Sequence, residues 1–309
     1  MVSRTWRALC GVLTCLFAVA ILAPSAGATT LPIGNFGNAI SNELFTPGAM
    51  PPGSNPASCR PSASHPYPVI LVHGTLANEA FSWQALSPML ANAGYCVYAF
   101  DYGVDSLSLG RFDALTDIAA SAAELRTEVD KVLAATGTSK VDLVGHSQGG
   151  MMPRYYIKNL GGAAKVNMLV GLAPSNHGTT LDGINTLLND FTIMGVPFTS
   201  AIGCVSCTQQ VLPSSFMASL NAGGDTQAGP RYVVIESRYD EIVTPYTSAF
   251  LTGPNVQNIL LQNQCGIDFT DHIGIIYDPV ALQDVMNALG ADSSSFRPSC
   301  SLVLPVIGG

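Results

Sequence analysis

Short apolar runs alternate with helical patterns along most of the chain. Continuous apolar runs, typical of strands buried on both faces, occupy 67–74, 95–103, 140–145, 165–174, 231–240 and 255–262. Apolar residues recur at helical spacing over 81–94, 116–137, 149–162 and 278–290. Strands and helices that alternate with short links predict an α/β fold with a mostly parallel sheet and helices on both faces.

Two stretches depart from this alternation. Residues 29–66 are rich in Pro, Gly, Ser and Asn, and we expect an irregular lead-in there. The second stretch, about 178–229, is long, rich in Gly, Thr, Asn and Ser, and interrupts an otherwise regular order. We interpret it as a lid-like insertion within a single domain that spans 29–309.

The first 28 residues have the pattern of a secretory signal peptide. Arg4 and Arg7 precede an apolar run, which ends at Pro24 and the small residues Ala26 and Ala28. We therefore expect a secreted protein, with an uncleaved membrane anchor as the alternative. No later segment is long and apolar enough to span a bilayer, so the mature chain should have no membrane span.

Composition excludes one class of partner and suggests a redox compartment. The formal net charge is −8 and no basic stripe occurs, which argues against binding of nucleic acid. Six of the eight cysteines follow the predicted leader, and an even number in an exported chain indicates disulfides. Many pairings are possible, and we expect Cys59–Cys96, Cys204–Cys207 and Cys265–Cys300.

The Cys204-x-x-Cys207 spacing also occurs in redox and zinc motifs. No second pair of this spacing and no nearby pair of histidines accompanies it. A disulfide is therefore the favoured interpretation, and no metal site is predicted.

The segment VDLVGHSQGG (141–150) places Ser147 between a predicted strand and a predicted helix. Its Gly-x-Ser-x-Gly spacing is that of a nucleophile elbow, a sharp turn that exposes a serine hydroxyl at the carboxyl end of a sheet. Glycines are needed at 145 and 149 because side chains there would collide with the neighbouring strand and helix. A serine in an ordinary glycine-rich turn is the alternative.

A nucleophilic serine needs a base, and the base needs an acid. In elbow proteins the chain order is serine, acid, histidine, which selects His272 after the last strand. Among Glu236, Asp240 and Glu241, we favour Asp240 because it lies just past a strand end, whereas Glu236 lies within the apolar run. Asp271, the neighbour of His272, is expected to be a solvated loop charge.

Two N–H groups are needed to stabilise an oxyanion. The residue after the nucleophile, Gln148, should supply one of them. The loop after the first apolar run, His73-Gly74-Thr75, should supply the other from Thr75. Gly74 would let the backbone approach the substrate closely, and His73 is expected to be structural.

Several of these blocks together resemble a known family. YPVILVHGT, VDLVGHSQGGMMPRYYIK, SRYDEIVTPY and DHIGIIYDP, in this order over about 65–290, are similar to secreted bacterial triacylglycerol lipases of the α/β-hydrolase fold. The resemblance implies a catalytic triad of Ser147, Asp240 and His272, an oxyanion hole at Thr75 and Gln148, no cofactor, and acylglycerols or simpler esters as substrates. Some members hold a structural calcium ion, but no clear acidic cluster for one is evident here.

The substrate class depends on what covers the site. The insertion at about 178–229 is rich in apolar residues, and we predict that Met151, Leu181 and Leu187 contact the acyl chain. Packing of the insertion as ordinary core is the alternative. The first hypothesis is a lipase that acts on lipid, including lipid at a lipid–water interface. The alternatives are a short-chain carboxylesterase or polyester depolymerase, an acyltransferase, and a secreted binding module without catalysis.

Overall fold

A computed structural model describes residues 30–46, 48–108, 111–193, 203–290 and 292–305. The predicted leader, residues 1–28, lies outside these ranges. Within them, no helix combines the length and the apolar character that are needed to cross a membrane.

Six parallel strands form one sheet in the described part of the chain. They are β1 (Val69–Val72), β2 (Val97–Ala99), β3 (Val141–His146), β4 (Val166–Leu172), β5 (Arg231–Glu236) and β6 (Val256–Leu260). Their order across the sheet is β2-β1-β3-β4-β5-β6, with every neighbouring pair parallel. The register sets Val72 beside Gly145 and His146 beside Leu172, so the carboxyl ends of the three central strands meet.

Helices connect the strands and cover the sheet. They are α1 (Phe36–Phe45), α2 (Glu79–Ser82), α3 (Leu86–Asn92), α4 (Ile118–Thr136), α5 (Gln148–Asn159), α6 (Leu181–Ile193), α7 (Val205–Gln210), α8 (Ser215–Asn221), α9 (Leu261–Gln264) and α10 (Pro279–Leu289).

The core lies in two layers because successive strand residues point to opposite faces of the sheet. In β1, Val69 and Leu71 belong to one buried cluster, together with residues of α3 and α10. Ile70 and Val72 belong to the other, together with residues of α4 and α5. The predicted parallel sheet with helices on both faces is therefore confirmed.

Two local predictions were wrong. The stretch 81–94 forms two short helices, α2 and α3, rather than one. Pro88 explains the break, because it fits the first turn of α3 but in a continuous helix its ring would clash with the carbonyl group of Gln84. The expected irregular lead-in contains α1, whose first turn is closed by a capping box between Asn35 and Asn38.

The structure joins the cysteines in the three expected pairs, Cys59–Cys96, Cys204–Cys207 and Cys265–Cys300. The second pair lies within the insertion, at the start of α7. The insertion also contributes α6 and α8, and its residues 194–202 lie outside the described ranges. A parallel bridge between Thr179 and Val211 ties the start of the insertion to the end of α7.

Candidate active site

Ser147 occupies a strained turn between β3 and α5. Its backbone angles are φ 55° and ψ −123°, a conformation that residues other than glycine rarely adopt. The Ser147 N–H donates to the carbonyl oxygen of Leu172 at 2.9 Å, and its own carbonyl accepts from Gly150 N–H at 2.9 Å. These bonds to β4 and to the first turn of α5 hold the strained conformation.

The glycines on either side of Ser147 permit close packing of backbones. A Cβ atom at Gly145 would overlap the carbonyl group of Gly149, and one at Gly149 would overlap the carbonyl oxygens of Val72 and His73. The helix and the neighbouring strand thus exclude side chains at these two positions, for the reason that the motif indicated.

His272 and Asp240 form a buried pair. The Nδ1 of His272 lies 2.7 Å from the Oδ2 of Asp240, and both side chains are almost fully buried. The other carboxylate oxygen, Oδ1, accepts from the N–H groups of Ile242 at 2.8 Å and Val243 at 2.7 Å. The carboxylate is therefore fixed, and it favours the His272 tautomer with the proton on Nδ1 and a free lone pair on Nε2.

His272 is held against the elbow by the residue that precedes Ser147. The Nε2 of His146 donates to the His272 carbonyl oxygen at 2.8 Å, and the two rings are 4.8 Å apart. The Nε2 of His272 is buried and has no hydrogen-bond partner among the described residues. Sequence reasoning assigned His146 no role, and nothing in the motif indicates this contact.

The charges around His272 favour its protonated form. Burial lowers the pKa of His272, but the charge and hydrogen bond of Asp240 outweigh burial and raise that pKa above its ordinary value. Burial raises the pKa of Glu241 to about 7, with His272 opposing the change. The carboxyl groups of Asp240 and Glu241 both lie beside the imidazole, and each raises the pKa of His272.

Two of the carboxylates that were set aside, Glu236 and Asp271, are buried. Burial and then the charge of Asp240 raise the pKa of Glu236 well above its ordinary value. Asp271 accepts from Gly274 N–H at 2.7 Å, in the turn after His272, and is 6% exposed. The expectation that Asp271 is a solvated loop charge was therefore wrong: this carboxylate fixes a turn.

Thr75 and Gln148 lie side by side next to Ser147. The Thr75 hydroxyl donates to the Oε1 of Gln148 at 2.7 Å, and a Cβ atom at Gly74 would lie 3.0 Å from the Cβ of Ser147. Within the described ranges, neither the Thr75 N–H nor the Gln148 N–H has a hydrogen-bond acceptor. Both N–H groups are thus free to bind an anion at the start of α5, where the helix dipole favours negative charge.

The three residues expected to contact an acyl chain lie in different surroundings. Met151 is fully buried in the core layer that contains Ile70 and Val129, so its position argues against contact with substrate. Leu187 is buried in the opposite layer, which also includes Ile242 and Ile273 beside the His272–Asp240 pair. Leu181, at the start of α6, is 61% exposed.

Among the described residues, one cluster has side chains of the types that bind metal ions. Sequence reasoning missed it because its residues are far apart in the chain. Ligand atoms of His73, Asp101 and Asp113 lie within 4.8 Å of one another. However, His73 has a protein partner for each nitrogen: its Nδ1 contacts the Gly74 carbonyl oxygen at 2.9 Å, and the Tyr102 N–H points at its Nε2 from 3.4 Å. These contacts give His73 a structural role without a cation.

The fold and the family agree with this geometry. The structure is similar to Aspergillus fumigatus lipase B, with a TM-score of 0.61 and 23% identity over 79% of this chain and 56% of that one. It is also similar to a Bacillus subtilis carboxylesterase, with a TM-score of 0.52 and 15% identity over 82% of this chain and 96% of that one. These similarities confirm the α/β-hydrolase fold.

The family follows from the sequence comparison. The profile described as Lipase (class 2) matches residues 66–284, and the chain belongs to this family. Triacylglycerol lipases from Pseudarthrobacter phenanthrenivorans and Burkholderia plantarii are each 37% identical to it over 94 residues, 29% of this chain. That stretch covers 27% and 24% of the respective relatives.

The acidic surroundings of the Thr75 loop predict how stability depends on pH. Burial and then the charge of Asp101 raise the pKa of Glu79 from 4.5 to about 7. The folded protein therefore keeps a proton that the unfolded chain has lost, and stability falls as pH rises between these two values. We expect Glu79→Gln to raise the Tm above pH 7 and to leave it unchanged below pH 4.5.

Thermal unfolding at several pH values measures this effect. Asp130→Asn is the matched control, because Asp130 is an exposed carboxylate paired with Lys165 and its loss also removes one negative charge. A Tm gain for Glu79→Gln that is no larger than that of the control, or equal at all pH values, would contradict the prediction.

Proposed function

We propose that this protein is a secreted serine hydrolase that cleaves the carboxylic esters of acylglycerols. The observation that carries the proposal is the buried His272–Asp240 pair, held by His146 against the strained turn that carries Ser147. Membership of the class 2 lipase family supports the same chemistry. In this proposal Ser147 is the nucleophile, His272 the general base and Asp240 the residue that orients it.

The reaction proceeds in two halves. The Nε2 of His272 takes the hydroxyl proton of Ser147 as Oγ attacks the ester carbonyl carbon, and the carbonyl oxygen becomes an oxyanion. The imidazolium then gives that proton to the departing alcohol, which leaves an acyl group on Ser147. Water repeats the sequence: His272 takes its proton, the acyl bond to Oγ breaks, the acid departs, and Ser147 regains its proton.

Asp240 makes this proton transfer possible without being protonated itself. Its negative charge stabilises the imidazolium that forms in each half-reaction, and its bond to Nδ1 keeps Nε2 directed away from the carboxylate. The backbone N–H groups of Ile242 and Val243 hold the carboxylate in place, so little reorganisation is needed during the reaction.

The free N–H groups of Thr75 and Gln148 are the proposed oxyanion hole. They come from two different connections, the loop after β1 and the start of α5, and the side-chain bond between the two residues keeps them together. A developing oxyanion gains two charge-assisted hydrogen bonds that the planar ester carbonyl makes less well.

Acylglycerols are the proposed substrates because of the family and the apolar insertion. Leu187 lies in the core layer that reaches the catalytic pair, and Leu181 leaves an apolar side chain exposed at the start of α6. The start of α6 is anchored: the Thr180 and Thr244 hydroxyls are 2.6 Å apart, and Gly183 packs on the Ile242 carbonyl. Any opening of the insertion would therefore involve the chain beyond this anchor.

Export is the remaining part of the proposal. Three disulfides and the signal-like pattern of residues 1–28 support an oxidising, extracellular environment.

Substrate preference separates a lipase from an esterase. We expect the purified protein to hydrolyse long-chain p-nitrophenyl esters faster than short ones, and to attack emulsified triacylglycerol, because the apolar insertion would bind the acyl chain. Initial rates below and above substrate solubility measure this. Activity confined to short soluble esters would support the assignment as a serine hydrolase but reject the assignment as a lipase.

The identity of the acid can be tested with two matched substitutions. Asp240→Asn should lower kcat by about a thousandfold or more, because the amide no longer stabilises the imidazolium. Asp271→Asn removes the same charge one residue from His272 but can still accept from Gly274 N–H, so its effect should be small. Ser147→Ala gives the background rate, and a reversed order of the two Asp variants would show that the acid is misassigned.

The pKa of His272 predicts an acidic limit to activity. The base must be neutral, and its pKa is raised, so activity should be lost as pH falls through a value above the ordinary 6.5. Because the neighbouring carboxylate of Glu241 helps to raise this pKa, Glu241→Gln should move the limit to lower pH. The pH dependence of kcat/KM on a soluble ester measures both, and an unmoved or raised limit would contradict the assignment.

A further inference from the structure

Gln210, the last residue of α7, connects the insertion to the proposed oxyanion hole. Its side chain is 2% exposed, and its Nε2 lies 3.0 Å from the Oγ1 of Thr75 and 3.0 Å from the Oε1 of Gln148. Since the Thr75 hydroxyl itself donates to Gln148, the three side chains form a closed triangle of hydrogen bonds. Ser175 completes the set by donating to the Oε1 of Gln210 at 2.7 Å.

The direction of these bonds determines what Thr75 can offer to a substrate. Its hydroxyl hydrogen points at Gln148, and its oxygen accepts from Gln210. The hydroxyl is therefore occupied on both sides, and the backbone N–H is the donor that remains free. Without the Gln210 amide, the Thr75 hydroxyl and the Gln148 side chain would lose a shared buried donor and could adopt other rotamers.

Gln210 can act in this way because α7 is firmly anchored. The Ser206 hydroxyl donates to the Ala114 carbonyl at 2.6 Å, and the Gln210 carbonyl accepts from Thr179 N–H at 2.9 Å. The Cys204–Cys207 disulfide closes the first turn of the helix. This part of the insertion thus belongs to the rigid site rather than to a moving cover.

We propose that Gln210 is a positioning residue for ester hydrolysis, which fixes the Thr75 and Gln148 N–H groups at the separation that an oxyanion requires. The proposal rests on the proposed function, because it assigns these two groups to the oxyanion hole. It also gives the insertion a second role: α7 supplies a side chain without which the hole is incomplete.

Two neighbouring substitutions on α7 test the proposal. Gln210→Ala should lower kcat by about tenfold to a hundredfold with little change in KM, because the hole acts on the transition state and not on the bound ester. Gln209→Ala is the matched control: its side chain bonds Ile118 N–H at 2.8 Å and the Asp117 carboxylate at 2.7 Å, away from the site. It should change kcat and KM little.

Gln210→Glu refines the comparison because it preserves size and the acceptor for Ser175. It replaces the donor with a carboxylate that faces two oxygens, so its kcat should be at least as low as that of Gln210→Ala. A boronic acid that forms a tetrahedral adduct with Ser147 provides an independent readout, since its affinity should weaken by the same factor as kcat.

The outcomes separate the two proposals. If the wild-type protein neither hydrolyses esters nor binds the boronic acid, the proposed function fails. If the wild type does both, and Gln210→Ala matches Gln209→Ala in kcat and in boronic acid affinity, the positioning role fails while the serine hydrolase stands. If Gln210→Ala does not fold, Ser175→Ala replaces it in the test, because it removes the hydrogen bond to the Oε1 of Gln210. The positioning role then predicts a lower kcat with little change in KM, and an unchanged kcat would reject it.

Discussion

The site depends on the strained backbone conformation of Ser147. The chain can adopt this conformation only because the backbones of β3 and α5 pack closely against each other. Two glycines allow that contact, and bonds to Leu172 and Gly150 keep the turn in place. The strained turn presents the hydroxyl at the carboxyl end of the central strand and directs the N-terminus of α5 toward the same point. Every other part of the proposed machinery is arranged around this position.

Around the turn at Ser147, hydrogen bonds to neighbouring residues fix the buried polar groups of the site. Asp240 is held by two backbone N–H groups, His272 by Asp240 and His146, and the proposed oxyanion donors by a triangle that includes Gln210. Such preorganisation stabilises charge that develops in a reaction, and it has a cost. Burial among other acids raises the pKa of Glu79 and of Asp113 to about 7, so the Thr75 loop lies in a region of unfavourable charge.

The sequence was sufficient to predict the sheet and the turn at Ser147, since both depend on local patterns. Apolar runs predict buried strands, and the Gly-x-Ser-x-Gly spacing predicts the elbow. What it could not predict depends on contacts between distant segments. Gln210 lies 135 residues from Thr75, and His146 meets His272 across 126 residues. The burial of Asp271 was also missed, although its hydrogen bond to Gly274 N–H lies within its own turn.

We infer that the fold activates Ser147. Reaction of the intact protein with an organophosphonate, followed by mass spectrometry of its peptides, tests this most directly, because only an activated nucleophile attacks such a reagent. We expect one phosphonyl group per chain, on Ser147, and much slower labelling when Asp240 is replaced by Asn. Folded protein that stays unlabelled, or that is labelled at another residue, would contradict it.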